Sequence, residues 1–192
     1  MAPVELWDIY DQKRRKTGQT VERGRPMAAG EYHIVVHVWI KNSRGEVFVT
    51  KRAPEKHFGG YWEGTGGSVT TGEDSYTGAL REVKEEIGID LQDASGSLEK
   101  SVCRPEFQDF MDVWVFQHDF KEEAVVLQQG EVREGRWVTR RELEAMVGEN
   151  RLVCARAFLR TGIILGGRRR RYEEALSFDE RFPSIRSARR GQ

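Results

Sequence analysis

The stretch Gly67-Ser68-Val69-Thr70-Thr71-Gly72-Glu73, followed after seven residues by Arg81-Glu82-Val83-Lys84-Glu85-Glu86-Ile87-Gly88-Ile89, decides how this chain is read. From Glu73 to Ile87 the pattern is helical, and Gly88 supplies the stop. At about 100° per residue, Glu82, Glu85 and Glu86 share a sector of roughly 100°. Tyr76, Leu80, Val83 and Ile87 fill a neighbouring sector, so one side of the helix faces a core and the next presents three carboxylates. Like charges at this spacing cost a few tenths of a kcal/mol per pair. A hard divalent cation, Mg²⁺ or Mn²⁺, removes that cost because it prefers oxygen ligands. The glycine-rich run from Phe58 to Gly72 suits a chain that turns sharply and comes close to a ligand. Its peptide groups are candidates to meet both the metal and phosphate oxygens. Such a site supports metal-assisted attack of water on phosphorus. Three glutamates alone also describe an ordinary solvated helix face with an Arg81–Glu85 surface pair, so the wider pattern has to decide.

That wider pattern resembles the Nudix box: a glycine, five residues, a glutamate, seven residues, then Arg-Glu-apolar-any-Glu-Glu-any-Gly-apolar. Gly67, Glu73, Arg81, Glu82, Val83, Glu85, Glu86, Gly88 and Ile89 fill every defining position. Seven fixed residues at roughly 7% abundance each match by chance on the order of 10⁻⁸ times per starting position, so the solvated-face reading gives way. The resemblance implies an α/β fold, an α/β/α sandwich around a mixed β-sheet, from about Tyr32 to Val147. It implies a hydrolase that cleaves the diphosphate linkage of a nucleoside-diphosphate-X or related organic diphosphate. Glu82, Glu85, Glu86 and the Gly66 carbonyl then correspond to metal ligands, and Glu82 is also a candidate base for the attacking water. Gly67, Glu73, Arg81 and Gly88 correspond to structural supports of the box. The family often adds a glutamate from the loop before a late tryptophan strand. Here Glu131, six residues ahead of Trp137, is the first candidate and Glu134 the competitor, with a solvated loop pair as the plain alternative.

Two other readings belong beside this one. Trp7 to Tyr10, Tyr32 to Trp39 and Lys51-Arg52 look like the branch of the superfamily related to isopentenyl diphosphate isomerase. The Cys-Gly-His run of that isomerase aligns with Gly66-Gly67-Ser68, so its cysteine and histidine are missing and hydrolase is favoured. A non-catalytic binding module derived from the same fold is the other alternative, and the complete carboxylate set argues against it.

Composition sets the remaining bounds. The 192 residues fit one domain with short extensions: an N-terminal extension or hairpin over 1–30, the hydrolase domain over 31–150, and a C-terminal helix with a basic tail over 151–192. Lysine plus arginine and aspartate plus glutamate each number 31, so no global field exists to hold nucleic acid or an anionic membrane. The arginines from Arg168 to Arg171 and Arg186 to Arg190 read as a solvated tail. No apolar run approaches the roughly 18 residues of a membrane span, and no signal peptide is legible at the N-terminus. Two thiols, Cys103 and Cys154, form no framework. These features point to a cytoplasmic protein; the resemblance implies a small-molecule diphosphate substrate as partner, and a homodimer is left open.

The alternation along the chain predicts strands at Ile34 to Ile40, Val47 to Thr50, Leu98 to Cys103, Met111 to Phe120 and Arg136 to Val138. Helices are predicted after Thr139, with Glu142 completing a capping box, and from Val153 to Leu165. Arg52 and Lys51 are candidates to hold a substrate phosphate, or else a solvated strand-end pair. His33 and His37 share one strand face, with a core position favoured over a metal role. Phe58, Tyr61 and Trp62 either pack the glycine-rich loop down or stack on a base.

Overall fold

The computed structural model describes residues 4–153. Its framework grows from the apolar run that begins at His33. Strand β3 (His33–Lys41) is buried along almost all its length, because both faces carry large apolar side chains. Ile34, Val36, Val38 and Ile40 point one way into a core with Phe48, Phe110 and Phe116. Trp39, fully buried, points the other way. A strand covered on both faces belongs at the centre of a sheet, and β3 sits there. It pairs in parallel with β8 (Asp109–Gln117) along one side. On the other side it pairs antiparallel with β6 (Thr65–Ser68) near its start and with β4 (Val47–Arg52) at its end. The order continues to β5 (Trp62–Glu63) beside β4 and β7 (Ser95–Arg104) beside β8, with β9 (Val132–Val138) also on β4. One parallel pair among antiparallel ones makes the seven-stranded sheet mixed.

Two α-helices complete the layers. Helix α1 (Ser75–Ile87) is capped by Asp74, whose Oδ1 accepts from the Thr77 N–H at 2.7 Å. It ends where Gly88 takes φ 73° and its N–H donates to the Lys84 carbonyl at 3.0 Å. Ala79, Val83 and Ile87 are fully buried against the β3 face that carries Val36 and Val38. Burial of Val83 and of Ile87 each contributes about 1.5–3 kcal/mol, and of the Ala79 methyl about 0.8 kcal/mol. Trp114 of β8 donates to the Ser75 hydroxyl at 2.8 Å and fixes the start of α1. Helix α2 (Arg140–Gly148) follows β9 and buries Leu143 and Met146; its capping box at Thr139 and Glu142 is present as the sequence reading expects. The result is an α/β/α sandwich around a mixed sheet.

Several elements differ from the expectations above. The glycine-rich run is not all loop: Gly66 and Gly67 lie in β6, opposite His37 and Val36. A Cβ on Gly66 would stand 2.2 Å from the Val36 carbonyl oxygen, so a strand passes this close to β3 only with glycine there. The helix begins at Ser75 rather than Glu73. Residues 6–22 form a hairpin of β1 (Leu6–Tyr10) and β2 (Lys16–Glu22). Tyr10 exchanges backbone hydrogen bonds with Tyr32, and Ile9 and Tyr10 are buried, so the hairpin is joined to the core. Among the described residues no helix is long and apolar enough to cross a membrane. The helix expected from Val153 to Leu165, Cys154 and the arginine-rich tail lie outside the described residues; Cys103 is exposed.

Candidate active site

The box closes on itself through Arg81. Its Nε donates to Glu73 at 2.8 Å, one terminal nitrogen donates to Glu82 and Glu85 at 2.9 Å each, and the other reaches the Ser68 carbonyl at 2.8 Å. Although burial works against its charge, Glu73 and Glu82 hold the guanidinium above its ordinary pKa. Glu73 also accepts from the Thr70 N–H at 3.0 Å, and β6, the turn and α1 thereby become one unit. The β6 backbone then meets the carboxylates. A Cβ on Gly67 would lie 2.4 Å from Glu82 Oε1, so the missing side chain is the space that Glu82 occupies. The Gly66 N–H donates to Glu86 Oε2 at 3.2 Å. Glu82 and Glu86 thus converge on adjacent peptides of one strand.

Burial dominates their electrostatics. Glu86 is 9% exposed, and its carboxyl is pushed well above the ordinary range by desolvation, then by Glu82 and Glu63. Glu82 is pushed up to about 7, chiefly by burial, with Arg81 opposing. Buried carboxylates set side by side are poor company for one another and good company for a cation. Glu85, half exposed, lies on Arg81 at the rim. Among the described residues no three acidic, histidine or cysteine side chains converge tightly enough to grip an ion as they stand, because Glu82 and Glu85 engage Arg81. The all-oxygen donor set and the burial of Glu86 nevertheless fit a hard divalent ion.

Around this pair stands a second ring. Arg52, at the end of β4, pairs with Glu63 and donates through Nε to the His57 carbonyl at 2.7 Å. Glu63 is pushed up by burial against the pull of Arg52. Lys56 pairs with Glu131, whose charge acts on both Glu63 and Glu86. From the hairpin, Arg23 binds Glu5 at 2.7 Å and feels Glu131 and Glu82. The hairpin is strapped to the box turn: Thr71 N–H donates to the Leu6 carbonyl at 2.8 Å, and Gly72 N–H to Asp8 at 3.1 Å.

Comparison with known proteins agrees with this geometry. The family model described as NUDIX domain matches residues 31–157. The chain belongs to the Nudix family. The Listeria monocytogenes protein lmo0368, an uncharacterized Nudix hydrolase, is 39% identical over 145 residues, 74% of this chain and 85% of that one. An 8-oxo-dGTP diphosphatase of Proteus vulgaris is 41% identical over 59 residues, 31% of this chain and 52% of its own. Among solved structures, DR0079 of Deinococcus radiodurans shares the fold with a TM-score of 0.62 at 23% identity, covering 77% of this chain and 91% of that one. The protein is a Nudix-type diphosphate hydrolase, and Nudix hydrolases act on small-molecule substrates with divalent metal ions.

Within this Nudix site the sequence-derived candidates separate. Glu82, Glu86, Gly66, Gly67, Glu73, Arg81 and Arg52 come together, and Glu131 stands beside them. Lys51 does not. Strand alternation turns it to the opposite face of β4 from Arg52, where it lies 5.4 Å from the Trp62 ring centre and 3.7 Å from Glu134. Glu134 goes with it, away from the box. Glu63 was missed, because a lone glutamate in a glycine-rich run carries no spacing signal; the alternation of apolar Trp62 with charged Glu63 was the available hint. His33 stacks on Trp7 at 4.1 Å and His37 on Trp39 at 5.2 Å, so both histidines serve packing.

Proposed function

We propose that the enzyme cleaves the diphosphate linkage of a nucleoside-diphosphate-X or related organic diphosphate, using Mg²⁺ or Mn²⁺. The observation that carries this reading is the convergence of Glu82 and Glu86 on the Gly66–Gly67 edge under the clamp of Arg81. Glu82, Glu86, Glu85 at the rim and the Gly66 peptide carbonyl would hold the ion. When bound, it supplies charge to neutralise the diphosphate and acidify water. The protein's own groups do the rest. Glu82 or Glu131 accepts the proton of the attacking water, Glu131 once Lys56 lets it go. Arg52, fixed by Glu63 and the His57 carbonyl, offers its remaining N–H groups to phosphate oxygens. Arg81 and Glu73 keep the glutamates aimed without touching substrate.

The isomerase-like alternative lacks its cysteine and histidine at Gly66 and Ser68, and the non-catalytic module would not need Glu82 and Glu86 set together against the Gly66–Gly67 peptides. The test is a screen of nucleotide, nucleotide-sugar and isoprenoid diphosphates, reading released phosphate or monophosphate with Mg²⁺ and with excess chelator. Turnover is expected only with the metal. A diphosphate hydrolysed at the same rate in chelator overturns the reading.

A further inference from the structure

We propose that the outer edge of β7 is a dimer interface, filled by β7 of a second copy of this chain in one antiparallel register. β7 ends the sheet, and no described strand pairs with its outer edge. Every residue from Ser95 to Glu99 is exposed, and Leu98 is 46% exposed. An open edge of this length is a template for another strand. Which strand fits follows from a bulge at its middle.

Leu98 lies opposite Trp114, and Lys100 opposite the very next residue, Val113, so Glu99 is an extra residue in the pairing with β8. On a regular strand, neighbouring residues send their N–H and C=O groups to opposite edges. Both members of an antiparallel pair must use the same edge. Two regular copies therefore cannot set residue 99 against residue 100. The extra residue reverses the alternation, and across it odd and even positions share an edge. Two copies of β7 can then pair about the Glu99–Lys100 bond. Leu98 falls opposite Ser101 of the second copy, Ser97 opposite Val102, and Gly96 opposite Cys103.

The side chains agree with that register. Leu98, Ser101 and Cys103 lie opposite Trp114, Asp112 and Phe110, on the α1 face of the sheet. Ser97, Lys100 and Val102 lie opposite Val115, Val113 and Met111, on the other face. Each pair across the dimer thus joins residues of one face. Glu99 shares the face of Ser97, whose hydroxyl donates to it at 2.6 Å. It therefore meets Lys100 of the second copy, and the twofold axis makes this ion pair twice. Leu98 gains the second Leu98 as a diagonal neighbour. A slip of one residue sets Glu99 against Glu99 or Lys100 against Lys100. Bulges and charges on an edge usually discourage pairing; here they exclude the wrong registers and admit one.

Sedimentation of the full chain over a concentration series tests this without reference to turnover. Wild type is expected to form a dimer that weakens as salt rises. Glu99→Lys and Lys100→Glu each turn two attractions into two repulsions, and each should raise the dissociation constant by about tenfold or more. An equimolar mixture of the two variants should recover the dimer, because lysines of one chain then face glutamates of the other. The double variant Glu99→Lys, Lys100→Glu should dimerise like wild type, which separates the charge effect from a folding defect in either single variant. A wild type that stays monomeric, a dimer indifferent to both single substitutions, or a mixture and a double variant that both stay monomeric each overturns the proposal.

Discussion

Glu131 and Glu134 are three residues apart, and both precede the tryptophan strand, so sequence alone ranks them only weakly. The sheet separates them. Glu134 sits opposite Lys51 in the β4–β9 pairing and shares its face, while Glu131 precedes the strand and turns toward Lys56. A register bulge between Lys51 and Arg52 marks the change. Glu131→Gln is therefore expected to lower kcat at least tenfold, about 1.4 kcal/mol of barrier, with little change in Mn²⁺ affinity. Glu134→Gln should leave both within twofold, since it breaks only a half-exposed pair of small worth. Steady-state kinetics and metal titration of the two variants decide this; equal losses, or none in either, would remove Glu131 from the site. The same alternation corrects Lys51 and promotes Arg52, a distinction invisible until the strand's direction is known.

At the level of elements, β3, α1 and the capping box of α2 were legible because each rests on local chemistry: a two-sided apolar run, a 3.6-residue period and a Thr-x-x-Glu cap. The β5 and β6 strands were not, since glycine signals a turn in sequence and here permits close pairing with β3. The N-terminal hairpin was only half legible. Its polar sequence reads as surface, yet Arg14 in its turn donates at 2.7 Å to Asp112, a fully buried carboxylate on β8. Removing one partner of such a pair strands the other in the core. Arg14→Ala is expected to destabilise the protein by roughly 3 kcal/mol or more, measured by urea unfolding. Arg14→Met combined with Asp112→Leu should recover most of that loss, because the buried charge goes with its partner. A single variant as stable as wild type would show that the hairpin is not anchored there.

For the whole molecule, the burial of Glu86 ties stability, pH and metal together. A carboxyl whose folded pKa lies above its unfolded value near 4.5 binds its proton more tightly in the folded state. Its contribution is fully present below about pH 4.5 and is lost as pH rises through the folded pKa. Glu82, pushed up to about 7, works in the same direction. The buried His37, pushed down to about 3 chiefly by burial, works oppositely, since its contribution is lost as pH falls below about 6.5 toward 3. The net profile mixes these groups, so the informative quantity is a difference between variants. In chelator, Glu86→Gln should gain on wild type as pH rises from 4.5 toward 8, by at most about 1.4 kcal/mol per pH unit. Saturating Mg²⁺ should reverse the order: wild type gains about 2.7 kcal/mol at a hundredfold excess over Kd, more at high pH where the carboxylates are free of protons. The variant gains little and turns over at least 100-fold more slowly, about 2.7 kcal/mol of barrier. Thermal and urea unfolding at pH 5, 6.5 and 8, each with chelator and with Mg²⁺, checks every part. If Mg²⁺ stabilises both proteins equally, Glu86 holds no metal; if the chelator series runs parallel, its burial carries no electrostatic cost.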